Sequence, residues 1–257
     1  MDFFKRAPFA PFTGPVSPIL LRASLILLSC CGLGAASTPP VPVTCVLELF
    51  TSQGCSSCPP ADALLTTLAR KPDIVAVSFP VDYWDYIGWK DTLASGAFAA
   101  RQHAYAEAHG EEHVYTPQIV VDGLVGVVGS DRGEIEAAIS GGKGRGGAVS
   151  LPMRLSHADG ALVIDIAGGD GGPADVLALR VVRSKTVHIG RGENAGRVVT
   201  YTNVVRAIDK VGDWTGSMAT FKLPESHADD EGYVVLLQKG TLEKPGPILG
   251  AAKTAGL

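Results

Sequence analysis

The chain has 257 residues, of which 46% are hydrophobic and 19% charged, and this composition is typical of a globular protein rather than a disordered or fibrous one. Its formal net charge is −4. A mildly acidic chain has no excess of basic side chains for binding nucleic acid or an anionic membrane, so neither is expected as a partner.

Residues 1–37 have the pattern of a secretory signal peptide. Three cations precede a short apolar run at 23–28, and small residues follow at 34–37. The apolar run is well short of the ~20 residues that a membrane span needs. We therefore predict removal of this segment, a net charge of −6 for the rest, and a periplasmic or secreted protein. An alternative interpretation of this segment is a lipoprotein-like motif at residues 27–30, in which Cys30 would be the lipid-anchored residue.

Between residues 43 and 140, strand and helix patterns alternate. The predicted elements, in chain order, are a strand at 46–50, a helix around 61–68, a strand at 74–79, a helix at 94–109, a hairpin of strands 118–121 and 124–128 around Asp122-Gly123, and a helix around 135–139. This order predicts a small mixed sheet flanked by helices.

The second half of the chain is rich in β patterns. Residues 141–147 are glycine-rich and predict a linker, and residues 148–257 follow it. The β-rich segments are 148–156, 161–167, 175–183, 197–206 and 232–238. Short strands with turn residues between them predict a small antiparallel sandwich. Polar residues such as Asn194 and Arg206 are predicted to hold a hydrogen-bonded interface between the two parts or with a partner.

Cys55 and Cys58 lie where the first predicted strand ends and the first helix begins. The N–H groups and the dipole at a helix start stabilise a thiolate and lower its pKa, which favours redox chemistry. As a structural staple, a disulfide across so short a loop contributes little, because closing it removes little chain entropy. The spacing of His109 and His113 also allows a metal site with the two cysteines. Redox pair, metal site and inert staple therefore stand as alternatives, and the strand–helix context favours the first.

Two motifs resemble the thioredoxin superfamily. "LELFTSQGCSSC" is similar to the glutaredoxin opening, and "TPQIVVDG" is similar to the cis-proline loop of thioredoxins. The resemblance implies that Cys55 is the attacking thiol and Cys58 the resolving thiol. It also implies a cis Pro117 beside them, and a Thr116 whose backbone binds a peptide substrate. Chemistry of this kind requires no cofactor and no metal.

Longer motifs resemble one family of exported bacterial proteins that have a thioredoxin-like domain and an unknown function. They are "ELFTSQGCSSCPPAD", "VDYWDYIGWKD", "TPQIVVDG" and "RGENAGRVVTYTNVVR". The resemblance covers nearly the whole chain after the signal peptide. The predicted fold class is an α/β thioredoxin-like domain at 43–140, followed by a small all-β, sandwich-like domain at 148–257.

Four further residues have two interpretations each. Tyr83 and Trp84 belong to an aromatic and acidic loop that either forms a substrate-binding rim or covers an edge of the core. Glu48 is either a buried proton acceptor for the cysteines or an exposed strand residue. Cys45, at the start of the first strand, is predicted to be buried and inert rather than reactive.

The functional hypothesis is an exported thiol-disulfide oxidoreductase that acts on a client or redox-partner protein through Cys55 and Cys58. Oxidation, reduction and isomerisation of the client are all compatible with the sequence. The alternative is a non-catalytic thioredoxin-like binding module whose cysteines bind copper or zinc or have no function.

Overall fold

The computed structural model describes residues 8–11, 13–14, 41–142, 148–224 and 228–257. The segment Pro40–Leu257 forms one compact unit. The apolar run of the predicted signal peptide and Cys30 lie outside the described residues, as do residues 143–147 of the predicted linker. Within the described part of the chain, no helix is long and apolar enough to cross a membrane.

The described residues form eleven strands, three α-helices and one 3₁₀ turn. The strands are Cys45–Thr51 (β1), Ile74–Pro80 (β2), Gln118–Val121 (β3), Val125–Val128 (β4), Met153–Ala158 (β5), Ala161–Ile166 (β6), Ala174–His188 (β7), Val198–Trp214 (β8), Ala219–Pro224 (β9), Glu231–Gly240 (β10) and Pro245–Lys253 (β11). The helices are Pro59–Ala69 (α1), Gly96–His109 (α2) and Arg132–Gly142 (α3), and the 3₁₀ turn is Asp85–Ile87.

The strands form two sheets. Eight strands form a mixed sheet in the order β11-β10-β7-β8-β2-β1-β3-β4, and β5-β6-β9 form a small antiparallel sheet. In the large sheet β1 and β8 are each parallel to β2, and the other neighbouring pairs are antiparallel. Both halves of the chain therefore contribute strands to the same sheet.

The predicted fold class, an α/β thioredoxin-like domain followed by a small all-β domain, is wrong. The predicted order of elements between residues 43 and 140 is present, but these strands do not form a sheet of their own. Instead β2 pairs with β8, in register at Ser78 and Val204. The Ser78 hydroxyl donates to the Thr202 carbonyl (2.9 Å), and the Asn203 amide donates to the Ala76 carbonyl (2.9 Å). The result is a mostly β structure built on one large mixed sheet.

Two strands, β9 and β11, were not predicted. β11 contains Pro245, Pro247 and two glycines, and these residues normally indicate a loop. The prolines are tolerated because β11 is an edge strand of the large sheet, where a residue need not donate a hydrogen bond to a second neighbouring strand. β9 is a six-residue edge strand of the small sheet, and the alternation of Ala219, Phe221 and Leu223 with polar residues is a strand pattern that the sequence analysis missed.

The core lies on both faces of the large sheet. On one face, α2 contributes Phe98 and Tyr105 to a cluster that extends from β1 and β2 to β7 and β10. On the other face, α1 and α3 pack against β1 and β3. The small sheet packs on β7 and β10 through residues such as Leu162 and Ile164. Because strand side chains alternate between faces, each central strand contributes to both layers.

Candidate functional site

A disulfide joins Cys55 and Cys58 between the end of β1 and the start of α1, with their Cα atoms 5.4 Å apart. Cys58 is the N-cap of α1, and its carbonyl accepts from the amides of Ala61 (2.9 Å) and Asp62 (3.1 Å). Pro59 starts the helix, where a missing N–H costs nothing. Cys55 was predicted at the first residues of the helix, but it lies before them, so the helix dipole acts most directly on Cys58.

The motif with the cis proline lies beside the disulfide. The Thr116–Pro117 peptide bond is cis, as the resemblance implied. The Ser57 hydroxyl lies 3.3 Å from Cys55 Sγ and donates to the Thr116 carbonyl (3.5 Å). Trp84 Nε1 donates to Thr116 Oγ1 (2.8 Å). The structure therefore brings Cys55, Thr116 and Trp84 into one site.

Tyr83 and Trp84 have different environments. The Tyr83 hydroxyl donates to Gln102 Oε1 on α2 (3.0 Å), and burial raises its pKa to about 12. Trp84 also packs against the core, but its ring stacks on Tyr86, which is 79% exposed. Tyr83 packs against the core, and the stacked pair of Trp84 and Tyr86 is called the aromatic rim below.

Both cysteines are covered in this structure. Cys55 is 1% exposed and Cys58 is fully buried, whereas Ser56 and Ser57 between them are exposed. The turn between the cysteines therefore faces solvent while the disulfide lies beneath it.

The loop before Cys55 is held from two sides. On one side, the Gln53 amide donates to Asp91 Oδ2 (2.7 Å), and Gln53 Oε1 accepts from Trp89 Nε1 (2.8 Å). On the other side, Asn194 Nδ2 donates to the carbonyls of Gln53 (2.9 Å) and Cys55 (2.8 Å). Burial raises the pKa of the Asp91 carboxyl, while donation from the backbone of Gln53 lowers it. The sequence had predicted an interface role for Asn194 but nothing that linked it to the cysteines.

Gly54 is required by a close approach. A Cβ at this position would lie 2.9 Å from the Cβ of Trp84. We expect Gly54→Ala to displace the aromatic loop and lower the free energy of unfolding by about 1–3 kcal/mol, measured by urea denaturation. Gly141→Ala in α3 is the matched control, because a Cβ there meets no atom within 4 Å and should not destabilise the protein. Equal stability of the two variants would contradict the expectation.

Glu48 is fully buried, so its interpretation as an exposed strand residue is wrong. Its carboxylate pairs with the guanidinium of Arg101 (2.8 Å) and accepts from the Tyr105 hydroxyl. These contacts lie on the α2 face of the sheet, whereas α1, which follows the cysteines, packs on the opposite face. The structure does not bring Glu48 to the disulfide.

Asp62 is a buried acid that the sequence analysis missed. It lies in the first turn of α1, one turn after Cys58, and is 3% exposed. Burial raises the pKa of its carboxyl to about 7, although Thr51 Oγ1 donates to Oδ1 (2.9 Å). Among the described residues, Oδ2 has no hydrogen-bond partner. An acid in the first turn of a helix usually indicates only a favourable interaction with the helix dipole, so the sequence does not indicate that Asp62 is buried.

The structure does not bring the histidines of the alternative metal site together with the cysteines as a group of ligands. His109 Nε2 lies 3.2 Å from the Gly123 carbonyl, and its Nδ1 lies 3.8 Å from Glu111. Across the described ranges, no group of three or more histidine, cysteine, aspartate or glutamate residues is placed to hold a metal ion. Cys45 is buried in β1, and its side chain bonds to that of Asp122.

Comparisons with known proteins identify the family. Residues 46–238 match the model of a family described as a protein of unknown function (DUF1223). The chain is similar to a crystal structure of a structural-genomics protein from Agrobacterium tumefaciens, with 38% identity, a TM-score of 0.76, and coverage of 85% of this chain and 97% of that one.

A second solved structure shows likeness of fold alone. It is HBP35 of Porphyromonas gingivalis, with 12% identity, a TM-score of 0.53, and coverage of 85% of this chain and 76% of that one. The search of curated proteins found no match. Because the family model matches most of its length, the chain belongs to the DUF1223 family of proteins of unknown function.

Proposed function

We propose that the protein is a thiol-disulfide oxidoreductase that exchanges disulfides with a client protein through Cys55 and Cys58. The observation that carries the proposal is the disulfide between these residues at the start of α1, next to Thr116. A disulfide across so short a loop is a poor structural staple, and this favours a chemical role.

The exchange proceeds in two steps. A thiolate of the reduced client attacks Cys55 Sγ, the Cys55–Cys58 bond breaks, and Cys58 leaves as a thiolate. The second client thiolate then attacks the client sulfur of the mixed disulfide and releases Cys55. The client loses two electrons and the cysteine pair gains them, and the reverse sequence reduces a client disulfide.

The position of Cys58 assists its role as leaving group. As the N-cap of α1, it lies at the positive end of the helix dipole, which stabilises a thiolate.

The burial of the disulfide limits the access of a client to Cys55. A client reaches Cys55 Sγ only when the exposed turn at Ser56 and Ser57 moves aside, and the aromatic rim of Trp84 and Tyr86 offers apolar surface beside that opening.

We further propose that the protein is exported to the periplasm or secreted and that its partner is a client or redox-partner protein. The signal-like sequence of residues 1–37 supports this location. An oxidising compartment supplies the oxidant that keeps the disulfide formed between reaction cycles.

The test is to trap the mixed disulfide. We expect cells that produce the full chain with Cys58→Ser to accumulate client adducts on Cys55, seen as reducible high-mass bands on non-reducing gels and identified by mass spectrometry. The Cys55→Ser/Cys58→Ser double variant is the matched control and should give none. A folded Cys58→Ser protein that forms no adduct would overturn the proposed function.

The second candidate is a non-catalytic binding module whose reduced cysteines bind copper or zinc or have no function. The burial of both cysteines favours it, because a covered disulfide exchanges slowly. One equivalent of metal bound by the reduced protein and lost with Cys55→Ala would support this module. Client adducts on Cys55 would exclude a module whose cysteines have no function.

A further inference from the structure

A loop from the second half of the chain reaches the disulfide. It connects β7 to β8 and is closed by backbone hydrogen bonds from Ile189 to Arg197 (2.9 Å) and from Gly196 to Ile189 (2.8 Å). Asn194 in this loop is 1% exposed, although loop residues normally face solvent. Its burial against the cysteine loop indicates a specific contact.

The Asn194 amide donates to two backbone oxygens at once, those of Gln53 (2.9 Å) and Cys55 (2.8 Å). The Cys55 oxygen also accepts from the Cys58 amide (3.2 Å), which is the hydrogen bond that closes the turn between the cysteines. The Cys55 carbonyl oxygen therefore accepts both from Asn194 and from the Cys58 amide. A movement of this oxygen would change both hydrogen bonds.

The loop that carries Asn194 is braced against the aromatic loop. A Cβ on Gly190 would lie 3.2 Å from the indole ring of Trp89, and one on Gly192 would lie 3.3 Å from Trp89 Cβ, so both glycines pack closely on this side chain. Trp89 in turn donates to Gln53 Oε1. Asn194 is thus held at a defined distance from the cysteine turn rather than following it as it moves.

We propose that Asn194 is a positioning residue that favours the closed disulfide over the dithiol. This inference rests on the proposed function, since it assigns the residue that sets the redox equilibrium of the same site. A fixed amide that bonds the Cys55 carbonyl holds the turn in the geometry in which Cys55 and Cys58 meet. When the pair is reduced and the turn relaxes, these hydrogen bonds weaken, so their free energy favours the oxidised form.

The test equilibrates the purified full chain with graded mixtures of reduced and oxidised glutathione. Two glutathione molecules reduce the protein disulfide and become one glutathione disulfide, and alkylation followed by mass spectrometry gives the fraction oxidised. We expect Asn194→Ala to lower the equilibrium constant for disulfide formation about tenfold, the size expected for the loss of one or two buried hydrogen bonds.

Asn203→Gly is the matched control. Asn203 is also a buried asparagine that donates to a backbone oxygen, that of Ala76 on β2, and its positive φ is tolerated by glycine. This variant should keep the equilibrium constant within about twofold of the unchanged protein, since a single remote hydrogen bond does not differ between the redox forms.

An unchanged equilibrium constant in a folded Asn194→Ala protein would overturn the inference. So would equal destabilisation of the oxidised and reduced forms in thermal melts. If Asn194→Ala does not fold, Asn194→Leu removes the donor, keeps a side chain of similar shape and adds no charge, and it should give the same shift. No client is needed here, so failure to trap a client and failure of this inference are separate results.

Discussion

Replacing Arg101 by methionine is expected to lower the free energy of unfolding by about 3–5 kcal/mol. Arg101 Nε donates to Glu48 Oε1 (2.9 Å), and its Nη2 donates to the Tyr105 hydroxyl and to Gln238 Oε1 on β10 (2.9 Å each). Methionine keeps most of the volume but leaves the fully buried Glu48 carboxylate without a cation. Guanidinium chloride denaturation followed by circular dichroism measures the loss.

The double variant Glu48→Gln/Arg101→Met separates charge from packing. It removes the uncompensated carboxylate while keeping the side-chain volumes, so it should recover most of the lost stability. If the single and double variants were equally unstable, the loss would come from the packing of Arg101 and not from the buried charge.

Asp62→Asn is expected to stabilise the protein at pH 8 and to leave its stability nearly unchanged at pH 4. Burial raises the folded-state pKa of Asp62 from 3.8 to about 7. As the pH rises from 4 to 7, the unfolded chain loses this proton and the folded protein retains it, so stability falls by about 1.4 kcal/mol per pH unit. Above pH 7 both states are ionised and the penalty is constant. Asparagine cannot ionise, so the variant avoids this loss.

The measurement is the free energy of unfolding of both proteins at several pH values between 4 and 8. The difference should grow through this range and reach several kcal/mol at its top, given a shift of about three pKa units. Glu136→Gln, in an exposed part of α3, is the control and should give no trend of this size. A flat difference for Asp62→Asn would show that the carboxyl keeps an ordinary pKa in the folded protein.

Local sequence patterns predicted individual elements well and their partners poorly. The helical spacing of Leu64, Leu65 and Leu68 located α1, and Asp122-Gly123 located the β3–β4 hairpin, because each signal lies within one element. The pairing of β2 with β8 left no such signal. Strand periodicity shows that a strand has two faces but does not show which strand covers each edge.

The candidate site shows the same division. Cys55, Cys58 and the cis Thr116–Pro117 bond were found through contiguous motifs, whose short spacings the sequence displays directly. Asn194 contacts Cys55 across 139 positions of the chain, and only the fold brings the two together. Asp62 was missed because burial, and not residue type or spacing, gives it an unusual pKa.

The parallel junction of β2 and β8 also constrains how the chain folds during its synthesis. β2 ends at Pro80, and Val204, its partner at the junction, emerges from the ribosome long after it. Until then the second edge of β2 is an open template for pairing with another chain. Association through this edge is avoided only while β2 stays unfolded or protected, until the closing strand has been made.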